Sequence, residues 1–287
     1  MMNHLLLVDK EKGITSHDVV DIARKALNIK KIGHTGTLDP LATGLIVLLI
    51  GRTTKLMKYF KNQRKTYRVT FELGFETDTL DVSGQRTMTA DCNQFPDKMT
   101  VKKTAEGFKG KQMQRPPVYS AIKVKGKRSY ALARKNKAVT LNERPVTFYD
   151  ITSFNSADRR SYSLTVRVSS GTYIRSFVRD IGRELGCYAT MTDLRRLSVD
   201  NMSVENAISS EMIDKDEINF LNPFDVLRFP EIIVCDHNQK KVSNGGFLET
   251  SLFETKADTL IRDNDNQPLA VYRYDEKKDV MRPSVML

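Results

Sequence analysis

The sequence predicts an α+β protein that carries a small β unit at its C-terminal end. Three observations carry this reading. Apolar or period-two runs at residues 4–9, 45–50, 65–74, 146–154 and 161–168 read as strands, with amphipathic helical stretches between them. A basic block at residues 102–144 interrupts the pattern with thirteen Lys or Arg against two acids, an excess equal to the whole net charge of +11. From about residue 230 the chain turns to short strands and turns, and residues 205–287 are net acidic, with ten basic and sixteen acidic side chains.

The elements follow in order. After the first strand, Gly13-Ile14-Thr15-Ser16 leads into a helix with Ser16 as N-cap and Asp18 in its first turn. Val19, Val20, Ile22, Ala23, Ala26 and Leu27 form its apolar stripe. Residues 33–44, Gly-His-Thr-Gly-Thr-Leu-Asp-Pro-Leu-Ala-Thr-Gly, make a loop with one acid, Asp39. The run Leu45–Ile50 behind it needs both faces covered, so the loop sits on a buried strand, a common place for catalytic groups. A short helical stretch follows to Phe60. In Lys65–Gly74, Tyr67, Val69, Phe71 and Leu73 face inward while Arg68, Thr70 and Glu72 face out. Residues 77–84 form a polar turn.

The basic block reads as an arm leaving the main sheet. Pro116-Pro117 stiffens its entry, and Tyr119 and Tyr130 lie among lysines, which suits base stacking joined to phosphate contact. Ile174, Phe177, Val178, Ile181 and Leu185 recur at helical spacing, with Gly186 as the stop. Arg175 then opposes the dipole of the first turn, and a nearby carboxylate is the simplest compensation. Met191–Leu197 precedes a strand-like piece, Asn206–Leu227 reads as helix and linker, and Leu260–Arg262 with Leu269–Tyr272 form a hairpin.

The totals exclude several classes. Three widely spaced cysteines, Cys92, Cys187 and Cys235, give neither a disulfide framework nor a zinc site, and suit a reducing cytoplasm. No apolar run reaches the roughly 20 residues of a membrane helix, and the N-terminus lacks the features of a secretory signal. The local basic excess is the footprint of a polyanion, most simply nucleic acid.

Five motifs occur in a fixed order: Gly33-His34-Thr35-Gly36-Thr37-Leu38-Asp39-Pro40, Lys65-Thr66-Tyr67-Arg68, Pro116-Pro117-Val118-Tyr119-Ser120-Ala121-Ile122-Lys123, Gly171-Thr172-Tyr173-Ile174-Arg175 and Leu194-Arg195-Arg196-Leu197. Together, from about residue 5 to 200, they resemble the bacterial tRNA pseudouridine-55 synthases of the TruB type.

The resemblance implies a pseudouridine-synthase-like fold: a mixed, largely antiparallel sheet with flanking helices in a catalytic domain at 1–229, the basic arm at about 102–144, and a small PUA-like β domain at 230–287. It implies isomerisation of the T-loop uridine of tRNA to pseudouridine, with the base flipped out, the glycosidic bond broken and C5 rejoined to the ribose, and with no cofactor or metal. It makes Asp39 the nucleophile, on the ribose or on the base. Tyr67 would stack on the flipped base and move a sugar proton, and Arg175 would pair with Asp39. Tyr173 and Leu194 would line the pocket, His34 would insert into the T-loop, and Lys123 would contact substrate from the arm.

A dry pocket disfavours an ionised carboxylate, and a neighbouring guanidinium restores it, which accounts for an arginine at a helix start. The implied partner is the tRNA T-arm, with no membrane and no obligate protein partner, for a cytoplasmic monomer. A non-catalytic RNA-folding protein, in which Asp39 only shapes the loop, is the rival from another class. Guide-RNA-dependent relatives share the core, but the extended basic tail expected of them is missing, which favours a stand-alone enzyme.

Overall fold

The six apolar residues Leu45–Ile50 are all completely buried, and the main sheet is built outward from them. A computed structural model describes residues 4–90, 95–120, 122–124, 126–133, 140–213 and 218–287. Cys92, Ala121, Lys125 and residues 134–139 of the basic block lie outside the described residues.

In chain order the elements are β1 (Leu5–Lys10), α1 (Ser16–Ala26), β2 (Ile32–His34), β3 (Thr43–Ile50), a 3₁₀ segment (Gly51–Phe60) and β4 (Lys65–Leu73). There follow β5 (Phe75–Thr77), β6 (Arg86–Thr89), α2 (Lys98–Gly107), β7 (Gly110–Gln114), β8 (Lys123–Val124), β9 (Lys127–Arg128) and α3 (Ser129–Ala133). Next come β10 (Arg144–Ser156), β11 (Ser161–Val168), α4 (Ile174–Glu184), β12 (Ala189–Val199), β13 (Met202–Ser203), β14 (Ile208–Ser209) and α5 (Pro223–Leu227). The C-terminal part holds β15 (Glu231–Ile233), α6 (Asp236–Ser243), β16 (Leu248–Glu249), β17 (Thr259–Arg262), β18 (Pro268–Asp275) and β19 (Val280–Met286).

The main sheet runs β14-β1-β3-β12-β4-β11-β10-β7, with β2 added to β3 and β13 to β12. Within this sheet, among the described residues, β1/β14 and β3/β12 pair in parallel and the other pairs are antiparallel. β3 is apolar throughout because both of its faces are covered. Ile46, Leu48 and Ile50 join the core that includes Val19 and Val20 of α1 and Phe177, Val178 and Ile181 of α4. Leu45, Val47 and Leu49 pack with Leu56 and Phe60 of the 3₁₀ segment and with Leu260, Val271 and Val285 of the second sheet. That second sheet, β15-β17-β18-β19-β16, is tied to the 3₁₀ segment by Lys55 Nζ donating to the Met286 carbonyl (2.6 Å) and by the Tyr59–Ser284 hydroxyl pair (3.0 Å).

Four sequence expectations need correction. The N-cap of α1 is Thr15, which forms a capping box with Asp18, so Ser16 is free to serve the neighbouring loop. Ile22 is 36% exposed, while the rest of the stripe packs on the core through buried Val19, Val20 and Ala23 and half-buried Ala26 and Leu27. Met191–Leu197 lies inside the central strand β12. Register shifts between Met191 and Asp193, and between Arg196 and Ser198, break the alternation that would have revealed it. The described residues of Asn206–Leu227 form short pieces: the end of a 3₁₀ turn, β14, another 3₁₀ turn and α5.

The basic block divides in two. Residues 98–114 form α2 and β7 of the main body, with Val101 and Ala105 in the core and Lys103, Lys109 and Lys111 on the surface. The remainder starts at Arg115. Helix α4 follows its predicted face and is capped by Leu185, with Gly186 at φ +68. It lies so close on β12 that a Cβ on Gly182 would come within 2.2 Å of the Ala189 nitrogen.

Candidate active site

The loop between β2 and β3 is fixed on both sides of Asp39. Buried Ser16 straddles the Leu38 residue, accepting from its N–H (2.8 Å) and donating to its carbonyl (3.1 Å). The Pro40 carbonyl accepts from the Gly13 N–H (2.8 Å) and from Lys10 Nζ (3.3 Å). Lys10 is completely buried, its ammonium also donating to the carbonyls of Glu11 and Ile14 (2.8 Å each), and burial lowers it to about 8. Upstream, Thr35 N–H donates to the Val47 carbonyl, and Arg196 Nη2 donates to the Gly36 carbonyl (3.1 Å). The parallel meeting of β3 and β12 passes through Gly44 at φ +100, where a Cβ would lie 2.3 Å from the Arg196 carbonyl oxygen.

Asp39 faces Arg175 in a two-pronged pair: Nε to Oδ2 at 2.8 Å and Nη2 to Oδ1 at 3.1 Å. The arginine side chain is 6% exposed and the aspartate 36%, so the cation is buried and the anion looks outward. Arg175 also donates from Nη1 to the Thr79 carbonyl (2.7 Å) and from Nη2 to the Tyr119 carbonyl (3.0 Å). A second carboxylate, buried Asp81, stands 3.8 Å from Nη1. Asp81 is oriented by Thr79 Oγ1 (2.9 Å), by the Ser83 N–H (3.0 Å) and by the Ser83 hydroxyl. The carboxylate expected near the helix start is therefore present twice.

Asp39 and Arg175 share a cavity of about 270 Å³ with Tyr67, Tyr173 and Leu194. Its floor holds the buried cations Lys65 and Arg196. Tyr173 precedes α4, and its backbone N–H and carbonyl are both held by the Gln114 side-chain amide (2.9 and 3.1 Å). Burial pushes its phenol up. His34 and Lys123 are not in this cavity. They line an adjoining groove of about 1050 Å³ that shares Asp39 and Arg175 and also receives Tyr119 and Tyr130. Burial, helped by the charge of Arg196, pulls the His34 imidazole below its ordinary value and favours the neutral ring. Tyr119 donates its hydroxyl to Asp78 (3.2 Å), which ties the root of the arm to the polar turn.

The seven residues singled out in the sequence thus border two connected spaces. Asp81, Lys65 and Arg196 were not singled out. Lys65 had a signal, since it lies two residues before Tyr67 on the same strand face. Asp81 had none beyond its place in a polar turn.

Among solved structures, the fold is shared with a chain of an H/ACA ribonucleoprotein bound to a substrate RNA containing 2′-deoxyuridine. The TM-score is 0.71 at 20% identity, covering 99% of this chain and 84% of that one. A chain of an archaeal box H/ACA Nop10–Cbf5 complex matches with a TM-score of 0.70, also at 20% identity, over 99% and 85% of the two chains. The class of fold is that of the pseudouridine synthases.

Residues 24–174 match the N-terminal domain of the TruB family pseudouridylate synthases, and residues 175–222 match the C-terminal domain described for tRNA pseudouridylate synthase B. The tRNA pseudouridine synthase B of Thermosipho melanesiensis is 38% identical over 92% of this chain and 86% of its own length. Those of Oenococcus oeni and Clostridium novyi are 35% identical (100% of this chain, 98% of theirs) and 44% identical (76% and 74%). The chain belongs to the TruB family of pseudouridylate synthases.

Proposed function

We propose that this protein converts the T-loop uridine at tRNA position 55 to pseudouridine, with Asp39 as nucleophile. The observation that carries the reading is the Asp39–Arg175 pair at the edge of a cavity between Tyr67 and Leu194. A carboxylate with a fixed guanidinium behind it and an open side in front is poised to attack a nucleotide entering from the groove. Two hydrogen bonds from Arg175 set its orientation, and the loop contacts through Ser16, Gly13 and Lys10 hold its backbone.

The target base sits inside a folded loop of RNA, so it must be flipped out, which costs a few kcal/mol. Lys123 and the arm tyrosines supply phosphate contact and stacking in the groove, and His34, favoured as the neutral ring, enters the RNA loop without a second charge. Tyr67 stacks on the base and takes the sugar proton, while Tyr173 and Leu194 close the pocket around it. Residues 230–287 serve as a PUA-like unit beside the catalytic domain. The enzyme works as a cytoplasmic monomer on free tRNA, without an obligate protein partner.

The test is pseudouridine formation on a naked T-arm hairpin by wild type and Asp39→Asn, with EDTA present throughout. Product at the T-loop uridine from wild type alone is expected. Equal product from Asp39→Asn would remove the nucleophile assignment. Binding without product from wild type on both hairpin and full-length tRNA would favour an RNA-folding or guide-dependent role.

A further inference from the structure

The cavity carries two buried cations that the pairing of Asp39 with Arg175 does not use. Lys65 is 9% exposed and Arg196 is 1% exposed, and among the described residues neither forms an ion pair. Arg196 is fixed by donating Nε to the Leu45 carbonyl (2.6 Å) and Nη2 to the Gly36 carbonyl (3.1 Å). Lys65 is held far less completely. Its Nζ donates to the Gln63 carbonyl at 3.0 Å, which leaves two of the ammonium's three N–H groups for something else. The contrast with Lys10 is direct, since that ammonium spends its donors on three backbone carbonyls of the loop.

Two like charges buried side by side, neither in an ion pair among the described residues, are unfavourable to the folded chain, and the charge of Asp200 offsets this only in part. Burial and the charge of Arg196 lower Lys65 to about 8, which leaves it mostly protonated at neutral pH. A dry cationic floor is useful where negative charge develops during a reaction. Under the functional reading above, such charge has a definite origin. When the C1′–N1 bond breaks, its electron pair stays on the base, and the detached ring is a uracil anion with charge shared by N1, O2 and O4. Asp39 bonds to C1′ as N1 leaves; the anion then turns, C5 bonds to C1′ as the C1′–Asp39 bond breaks and the carboxylate is restored, the proton on C5 is lost and N1 takes one up, so atoms and charge balance.

We propose that Lys65 is a catalytic residue that stabilises this uracil anion, with Arg196 supplying a second positive charge to the same floor. Position favours the base over a phosphate as the occupant. Lys65 and Tyr67 are two residues apart on one face of β4, so their side chains border the same space, and Leu194 borders it from β12. The open groove lined by Lys123 is the place the functional reading gives to phosphates. The assignment rests on the reading of the chain as a uridine isomerase.

The test compares wild type, Lys65→Met and Lys65→Arg under single turnover at saturating enzyme, with tRNA affinity and thermal unfolding measured alongside. Lys65→Gln supplies a second neutral variant should Met fail to fold. Two T-arm substrates are used, one with uridine and one with 5-fluorouridine, whose detached base is a less basic anion. The readout is loss of the parent nucleoside after digestion. Lys65→Met should slow the uridine reaction roughly 100-fold, the loss typical of removing one donor from a developing anion.

The loss should be clearly smaller with 5-fluorouridine, tRNA affinity should hold, and Lys65→Arg should recover much of the rate. Equal losses on the two substrates, an unchanged rate, or a loss confined to affinity would overturn the assignment, the last pointing to a phosphate contact. Wild type inactive on uridine would instead refute the functional reading beneath it.

Discussion

Asp81→Asn tests whether the second carboxylate sets the geometry of the first. The substitution is nearly isosteric and keeps an oxygen for Thr79 and Ser83, but it removes the charge 3.8 Å from Arg175 Nη1. At an effective dielectric near 20, two unit charges at that distance attract by about 4 kcal/mol. Desolvation of both groups offsets much of this. Arg175 still keeps Asp39, so no charge is orphaned, and a net loss of roughly 2 kcal/mol is the expected stability change. That corresponds to a melting point lower by about 4–8 °C for a chain of this size class. Activity should fall between about 10- and 100-fold through misplacement of Arg175, while turnover persists because Asp39 is intact. The assay joins thermal unfolding with single-turnover rates, and a double-mutant cycle with Arg175→Met isolates the coupling. A coupling of about 1–3 kcal/mol is expected. If Arg175→Met costs the same with and without the Asp81 charge, the two residues do not act together and the reasoning fails.

Other perturbations follow from the same geometry. Gly44→Ala should destabilise by several kcal/mol, since it adds a Cβ at φ +100 and 2.3 Å from the Arg196 carbonyl; a variant that melts like wild type would refute the crossing constraint. Lys10 and Lys65 stand at about 8 in the folded chain against an ordinary 10.5, so above about 8 the folded state releases protons that the unfolded chain retains. Stability should therefore rise with pH from about 8 to 10, by at most ~3 kcal/mol per lysine, and a denaturation midpoint that falls across this window would contradict it. Tyr59 and Tyr272, pushed up to about 12 by burial, reverse the sign between about 10 and 12, because there the folded chain holds protons the unfolded chain has lost. Affinity for tRNA should drop steeply with salt, and Lys123→Ala should reduce the logarithmic salt slope by about one; an unchanged slope would remove Lys123 from the phosphate contacts.

Much of the scaffold is local and therefore legible in the sequence. The period-two face of Lys65–Leu73 and the helical spacing of Ile174–Ile181 each specify one buried side, and both faces appear as read. The run Leu45–Ile50 announced a strand covered on both sides, though not that the C-terminal sheet would supply part of the cover. What failed was not local. β12 lost its alternation to two bulges, which flank the short regular stretch where Leu194 and Arg196, two residues apart, share the face that lines the cavity. Thr15 outcompetes Ser16 as the cap because Ser16 is engaged by Leu38, twenty-two residues away. Nothing within three residues of Ser16 reports that engagement.

The same reasoning explains why the site was legible as a set of residues but not as a mechanism of positioning. Asp39, Arg175 and Tyr67 are marked by their motifs, yet Arg175 does more than pair with one aspartate. Its guanidinium joins four segments far apart in sequence: the Asp39 loop, the 77–84 turn through Thr79 and Asp81, the root of the arm through the Tyr119 carbonyl, and α4 itself. Helix α4 reinforces the third of these, because Ser176 and Arg179 both donate to the Arg115 carbonyl (2.9 and 3.1 Å) and the Gln114 amide clasps Tyr173. A shift of the arm's root must therefore be felt at Nη2, the nitrogen that Tyr119 and Asp39 share. The root of the arm and the Asp39 carboxylate are two bonds of one rigid fork, so under the proposed function RNA held by the arm is coupled to the carboxylate that attacks. Lysine at position 175 would keep the charge but could not hold all four segments, so charge conservation alone should fail to restore activity.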